Sequence, residues 1–214
     1  TVISLFDGSG IPRLALHTAI REASSALGIR VIVKRTITVE KGPAERALAT
    51  LLMTAAGVDD HEIIEITDIE YITPQVIEGF QRADELQGHY STTLFLVGAP
   101  CTEVTQAKRG LDRRGLHVSP SNLIHQADAL MGAEHCRKMT KMALPVAFVV
   151  EQVPCGKQED SIEQDAMFGP AQHVDSQRHG HKRVREYRCH PKGQAEWQWN
   201  QDIADALTGM DCIR

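Results

Sequence analysis

No hydrophobic run in the sequence approaches the roughly 20 residues needed to cross a bilayer. The one apolar stretch at the start is broken by Asp7 and Gly8, so it does not read as a signal peptide. An excess of positive charge is also missing: 23 Lys and Arg against 28 Asp and Glu leave a net charge of −5. A protein coated in basic residues is excluded, and a polyanion partner would require positive charge concentrated locally. Cysteines are scarce, five in 214 residues, odd in number and without paired spacing. That pattern argues against a disulfide framework and for free thiols in a reducing, intracellular compartment. There is no internal repeat, no low-complexity tract and no linker, and the length suits one domain with its own core.

What is present alternates. Val2 to Phe6 reads as a strand, and Ile11 to Leu27 as a helix with apolar positions at Leu14, Leu16, Ile20 and Leu27. A second strand is expected over Ile29 to Val39, then a helix from Pro43 to about Ala56, since proline suits a first helical turn. Glu62 to Ile66 is a third strand. Thr73 is a good N-cap for a helix running from Pro74 to about Leu86. Ser91 to Val97 is a fourth strand, Ser119-Pro120 opens a helix to about Met142, and Leu144 to Val150 is a fifth strand. Alternation of this kind implies βαβ units, hence a mostly parallel sheet with helices on both faces. Gly156 to Gly169 reads as a polar loop. Ala171 to Asp175 and Val184 to Cys189 suit an edge hairpin, and a last helix is expected around Ile203 to Leu207.

Chemistry gathers at the strand ends. Leu94 to Val97 runs into Gly98-Ala99-Pro100-Cys101, and Val146 to Val150 runs into Glu151. In open α/β sheets ligands bind beyond the carboxyl ends of the strands. Cys101 follows proline in a polar stretch, with Lys108 and Arg109 close by, and nearby positive charge favours the nucleophilic thiolate. The inert alternative, a small buried hydrophobe, is open to any cysteine. Glu151, ending an apolar strand, is expected to be partly buried and suited to donating a proton. Gly8 and Gly10, between the first strand and first helix, allow a ligand to approach the main chain, although a mere tight turn needs the same residues. Glu40, after the second strand, is placed to accept hydrogen bonds from ribose hydroxyls, and Asp68, after the third, to contact the base of the same nucleoside.

Two basic clusters, Lys108, Arg109, Arg113 and Arg114, then Arg178, Lys182, Arg183, Arg185 and Arg188, are either solvated faces or a polyanion surface. Cys155, His173, His179, His181, Cys189 and His190 are zinc-ligating types, but no Cys-x-x-Cys pair or finger spacing joins them, and no metal is expected there.

Taken in order, Ser4-Leu5-Phe6-Asp7-Gly8-Ser9-Gly10, Glu40, Asp68, Gly98-Ala99-Pro100-Cys101, Glu151-Gln152-Val153 and His181-Lys182-Arg183-Val184-Arg185 resemble the motifs of cytosine-5 DNA methyltransferases, in flavour closest to the eukaryotic de novo branch. The resemblance spans roughly residues 2 to 190, and the Pro-Cys with Glu-x-Val pair is its specific part. It implies a Rossmann-like S-adenosylmethionine-dependent methyltransferase fold. It also implies S-adenosylmethionine as cofactor, with S-adenosylhomocysteine as product. Phe6, Asp7, Gly8, Ser9, Gly10 and Ile11 would line the cofactor with Lys41 and Pro100, Glu40 would hold the ribose, and Asp68 and Ile69 would contact adenine. The catalytic set implied is Cys101, which attacks carbon 6 of a flipped-out cytosine, Glu151, which hydrogen-bonds and protonates its ring nitrogen, and Arg183 and Arg185 beside base and thiolate. Lys108, Arg109, Arg113, Arg114 and Lys182 would meet DNA.

The sequence departs from the family at Thr102, Gln152 and His181, where Gln or Asn, Asn, and Gln are usual. After Arg185 there is little room for a target-recognition domain, so residues 191–214 are expected to be a minimal remnant of one. A homo-oligomer or a partner domain would then complete the grip on DNA. A nuclear location follows if the source is eukaryotic. The family's RNA-directed branch, acting on transfer RNA with the same residues, and an inactive regulatory subunit remain as alternatives.

Overall fold

The computed structural model describes residues 1–28, 30–58, 62–86, 92–100, 115–117, 122–140, 146–152, 158–168, 172–178 and 181–191. In chain order they form β1 (Val2–Leu5), α1 (Ile11–Leu27), β2 (Arg35–Val39), α2 (Pro43–Ala55), β3 (Glu62–Ile66), a 3-10 turn (Ile69–Tyr71) and α3 (Pro74–Leu86). Then come β4 (Thr93–Val97), α4 (Leu123–Thr140), β5 (Val146–Gln152), α5 (Gln158–Phe168), β6 (Gln172–Arg178) and β7 (His181–Pro191).

The strands make one sheet in the order β3-β2-β1-β4-β5-β7-β6. β1 to β5 pair in parallel, whereas β7 runs antiparallel to both β5 and β6. This is a Rossmann-like α/β fold, as the alternation of elements implies. Right-handed crossovers put α1 and α2 on one face and α3 and α4 on the other. Alternate positions of the central strands, Ile3, Leu5, Ile37, Val39, Phe95, Val97, Phe148 and Val150, fill the core. Phe168 at the end of α5 meets Phe148 edge-on, with ring centroids 5.9 Å apart.

Several expectations change in physically instructive ways. The second strand starts at Arg35, not Ile29: its first ladder pairs are Arg35 with Glu62 and Thr36 with Val2, and residues 30–34 precede the strand. Val31 and Ile32 are left exposed. β5 extends through Gln152, beyond β4's last pair at Val97–Val150, because β7 supplies Tyr187 and Glu186 as further partners. The polar stretch after Gly156 is not a loop but α5. Its buried positions, Asp160, Gln164 and Phe168, recur every fourth residue, yet two of the three are polar, which hid the helical stripe. In α1 the fully buried residue is Arg13, while Leu27 is 57% exposed, so the apolar face expected there is only half-buried. The helix expected at Ile203 to Leu207 lies outside the described residues. Among those described, no helix is long and apolar enough to cross a membrane.

Buried polar networks tie the helices to the sheet. Under α4, Glu134 accepts from Thr93 Oγ1 (3.1 Å) and from Arg137 Nε (2.7 Å), while Gln81 of α3 donates to Thr93 (3.0 Å). One turn further along α3, Asp84 holds Lys34 (2.5 Å) and Arg35 (3.2 Å), and Arg35 also reaches Glu62 on β3 (2.7 Å) and the carbonyl of Phe80. Burial pushes the Asp84 carboxyl up, but the hydrogen bonds and charges of Lys34 and Arg35 outweigh it and hold the group below the usual carboxylate range.

A depressed folded-state pKa means that ionised Asp84 stabilises the fold above its unfolded pKa, and that the contribution is lost as pH falls through the folded value. Asp84→Asn is therefore expected to lower stability near neutral pH by on the order of 1 kcal/mol and to flatten the acid limb of the stability profile. Urea melts across that pH range check both.

Candidate functional site

The main chain continues hydrogen bonding one residue past the strands, and this fixes the residues that follow. Phe6 N–H donates to Val39 C=O (2.8 Å), Glu40 N–H to Ile66 C=O (3.1 Å) and Gly98 N–H to Leu5 C=O (3.1 Å). β2 lies on one side of β1 and β4 on the other, so the strand order reverses there and opens the crevice where such folds bind ligands. Five widely spaced segments meet this edge at neighbouring strand ends: Asp68, Glu40, Phe6 to Gly10, Gly98 to Pro100, and Glu151.

The turn after β1 is built around a buried ion pair. Asp7 Oδ1 accepts from Ser4 Oγ (2.6 Å), and Asp7 Oδ2 meets Arg13 Nε at 2.5 Å; both residues are 4% exposed. Burial raises the Asp7 carboxyl above its ordinary pKa, opposed by the Arg13 charge and by the hydrogen bonds from Ser4 and Arg13. The side chain of Asp7 therefore faces into the fold. Around it the chain adopts three left-handed conformations, at Phe6 (φ 59°), Gly8 (φ 54°) and Gly10 (φ 76°). Among the described residues Phe6 is the one non-glycine at positive φ. Such a conformation costs a bulky residue roughly 1–2 kcal/mol, and Phe6 packs its ring against the core.

The two glycines differ. A Cβ on Gly10 would stand 2.8 Å from Ala49 Cβ and 3.2 Å from the Arg13 guanidinium, so Gly10 is where α1 closes on α2. A Cβ on Gly8 would meet nothing within 4 Å. Gly8 thus leaves open space beside the main chain.

Glu40 joins this turn to the next one. Its Oε2 accepts from Gly8 N–H (2.9 Å) and its Oε1 from Gly42 N–H (2.8 Å). An ionised carboxylate has about four acceptor positions, so about two remain for hydroxyl donors. Arg46 secures the same loop by donating to the carbonyls of Glu40 (2.8 Å) and Lys41 (2.9 Å). Lys41 reaches outward, 3.8 Å from Asp68. Asp68 caps the 3-10 turn by accepting from Glu70 N–H (3.2 Å). Ile69 lies in the core, so any ligand contact falls to its backbone. Ile11 is exposed at the start of α1, and Ser9 and Pro100 are half-buried. Neither α1 nor α2 has a side-chain cap hydrogen bond at its N-terminus, so both present main-chain donors near this edge.

Glu151 is half-buried and pairs with Tyr187 of β7. Residues 183, 185 and 187 alternate in phase, so the backbone positions of Arg183 and Arg185 follow Glu151's partner along the same face. Lys182 is out of that phase, and pairs with Gln177. Cys101, Lys108, Arg109, Arg113 and Arg114 lie outside the described residues. Sequence reading quoted Ser4 within the glycine-turn motif without a role for it, and missed Arg13 and Arg46; an arginine inside a helix carries no signal that it will turn inward.

No protein-family model matches the sequence, and no curated protein matches it. Among solved structures, the chain is similar to an rRNA methylase from Streptococcus thermophilus, with 9% identity over 89% of this chain and 87% of that one and a TM-score of 0.39. It is also similar to a protein described as a SAM-dependent methyltransferase from Streptococcus mutans, with 12% identity over 88% of this chain but 43% of that one and a TM-score of 0.37. At that level the fold assignment rests on the strand order itself.

Three substitutions separate the structural parts of the turn. Asp7→Ala strands Arg13 as an unpaired buried charge and is expected to cost about 3–5 kcal/mol. Gly8→Ala, strained in φ but unobstructed, costs about 1–2 kcal/mol. Gly10→Ala carries the same strain together with the collision at Ala49, and is expected to be worse than Gly8→Ala. Denaturant midpoints of the three variants give the order.

Proposed function

We propose that this chain is an S-adenosylmethionine-dependent cytosine-5 methyltransferase acting on DNA. The observation that carries the reading is the meeting of five of the six motif segments at the carboxyl ends of five adjacent strands. A nucleoside-bearing cofactor suits the residues found there. Gly8 leaves room beside the main chain, Glu40 keeps acceptor capacity for ribose hydroxyls, and Asp68 stands one strand further on for the base. Phe6, Gly10 and Ile11 would complete the wall. S-adenosylmethionine, when bound, supplies an electrophilic methyl group.

The chain's own groups do the rest. The Cys101 thiolate adds to carbon 6 of the cytosine, forming a carbon–sulfur bond. Glu151 gives a proton to ring nitrogen 3, so the electron pair released by addition makes carbon 5 nucleophilic. After carbon 5 has gained the methyl group, loss of its proton to a base expels the Cys101 sulfur and restores the carbon 5–carbon 6 double bond, and ring nitrogen 3 returns its proton to the Glu151 carboxylate. Arg183 and Arg185 favour the thiolate and orient the base. The target edge is hidden in a duplex, so the base must be flipped out, with unstacking offset by phosphate contacts. Lys108, Arg109, Arg113, Arg114 and Lys182 are the residues proposed for those contacts.

Labelled S-adenosylmethionine offered with duplex DNA or with transfer RNA tests this, alongside Cys101→Ala. Label in DNA cytosine that vanishes in the variant supports the reading. Label confined to RNA overturns the substrate, and label persisting in the variant overturns the nucleophile. Glu40→Gln turns an amide N–H toward one of the two backbone donors, and is expected to weaken cofactor binding roughly ten- to hundredfold. Equilibrium dialysis of the cofactor without nucleic acid measures it.

A further inference from the structure

Away from the glycine turn, the short segment 115–117 meets α4 and α5 in a cluster that the methyl-transfer reading does not use. We propose that His117, His125 and Glu163 form a zinc site.

The side-chain geometry is that of a chelate. His117 Nε2 is 3.2 Å from Glu163 Oε2, and His125 Nε2 is 3.7 Å from Glu163 Oε1. One ligand atom from each of the three lies within 4.8 Å of the others. The two imidazoles stack nearly parallel, with centroids 5.1 Å apart and 15° between planes, and both bring Nε2 to the same carboxylate. Zinc bonds of about 2.0–2.1 Å in tetrahedral array place ligand atoms about 3.3 Å apart, so small side-chain adjustments close the site. His125 Nε2 is shielded from solvent and has no hydrogen-bond partner among the described residues. A buried nitrogen of that kind costs free energy unless something engages it, and a metal ion does so.

The donor set selects the ion. Two neutral imidazoles and one carboxylate are the ligands of a zinc centre with three protein ligands, the fourth position falling to water. Calcium and magnesium take oxygen ligands instead. His117 is 74% exposed, which gives ion and water access from solvent. Charge also favours binding, since the lone carboxylate supplies one negative charge to a dication.

The backbone around the site is already held for this purpose. His125 lies in the first turn of α4, and Glu163 lies one turn after Asp160 on α5. Asp160 accepts from Leu116 N–H (3.2 Å), beside Gly115 at φ 88°. α5 therefore grips segment 115–117 at two successive turns, once by Asp160 and once by Glu163. A zinc ion would lock that segment to both helices. The sequence conceals the site because its ligands are spread over three elements, with none of the short spacings that mark zinc fingers.

The full chain, stripped by a chelator and dialysed against zinc alone, tests the proposal. Wild type is expected to retain one more equivalent of zinc than either His117→Ala or Glu163→Gln, with affinity at the site reduced more than about a hundredfold in each, beyond the usual loss from an outer-shell change. Zinc should raise the melting temperature of wild type and leave that of both variants unchanged. Because His117 is exposed, His117→Ala should melt with wild type in the presence of chelator. Cobalt(II) in place of zinc should give visible d–d bands without a thiolate charge-transfer band. Equal zinc content in wild type and both variants, or a thiolate band that survives them, assigns the metal to cysteines and overturns the proposal. Absence of stoichiometric zinc in wild type overturns it as well, leaving a histidine–carboxylate contact only. None of these readouts depends on methyl transfer.

Discussion

The Asp7–Arg13 ion pair governs the geometry of the sheet's carboxyl edge. Each partner alone would be an unpaired charge in the interior, and neither could remain there at acceptable cost. Together they pull the first turn of α1 down onto the end of β1, with Ser4 adding a hydrogen bond from within the strand. The chain makes that descent through left-handed conformations at Phe6, Gly8 and Gly10. The arginine thus occupies the place in α1 that an apolar residue would ordinarily fill, and the helix trades hydrophobic contact for a fixed entry angle.

Glu40 extends that order sideways. By accepting one N–H from the turn after β1 and one from the turn after β2, it makes the two loops a single rigid unit. Arg46 reinforces the second loop from behind, through the carbonyls of Glu40 and Lys41. The arrangement is pre-organised: a ligand that met these groups would not have to order them first, and would avoid that entropic cost on binding.

Sequence reading succeeded where one-dimensional signals are strong. Gly8, Gly10, Pro43 and Thr73 are punctuation with local physical causes, and Thr73 does cap α3 through Val76 N–H (3.3 Å). The placing of Glu40, Asp68 and Glu151 at strand ends followed from where apolar runs stop. What was not legible depends on partners distant in the chain. The inward turn of Arg13 is decided by Asp7 and Ser4, and the helix over Gln158–Phe168 buries polar residues whose justification lies elsewhere, as in the bond from Leu116 to Asp160. β5's extra length was equally hidden, since it is conferred by β7 more than thirty residues later.

The insertion of β7 between β5 and β6 carries a consequence for how the molecule is made. β5 is an almost wholly apolar strand, Val146-Ala147-Phe148-Val149-Val150, and its outer neighbour is not the next strand in the chain but the one after it. During synthesis the first five strands can assemble in register while that outer edge stands open, a row of unsatisfied main-chain groups beside a hydrophobic face. Only when the chain has emerged through Pro191, and the β6–β7 hairpin has turned back, is the edge closed. The interval between those events is the period of greatest risk of intermolecular strand pairing, and its length is set by translation rate rather than by the stability of the finished fold.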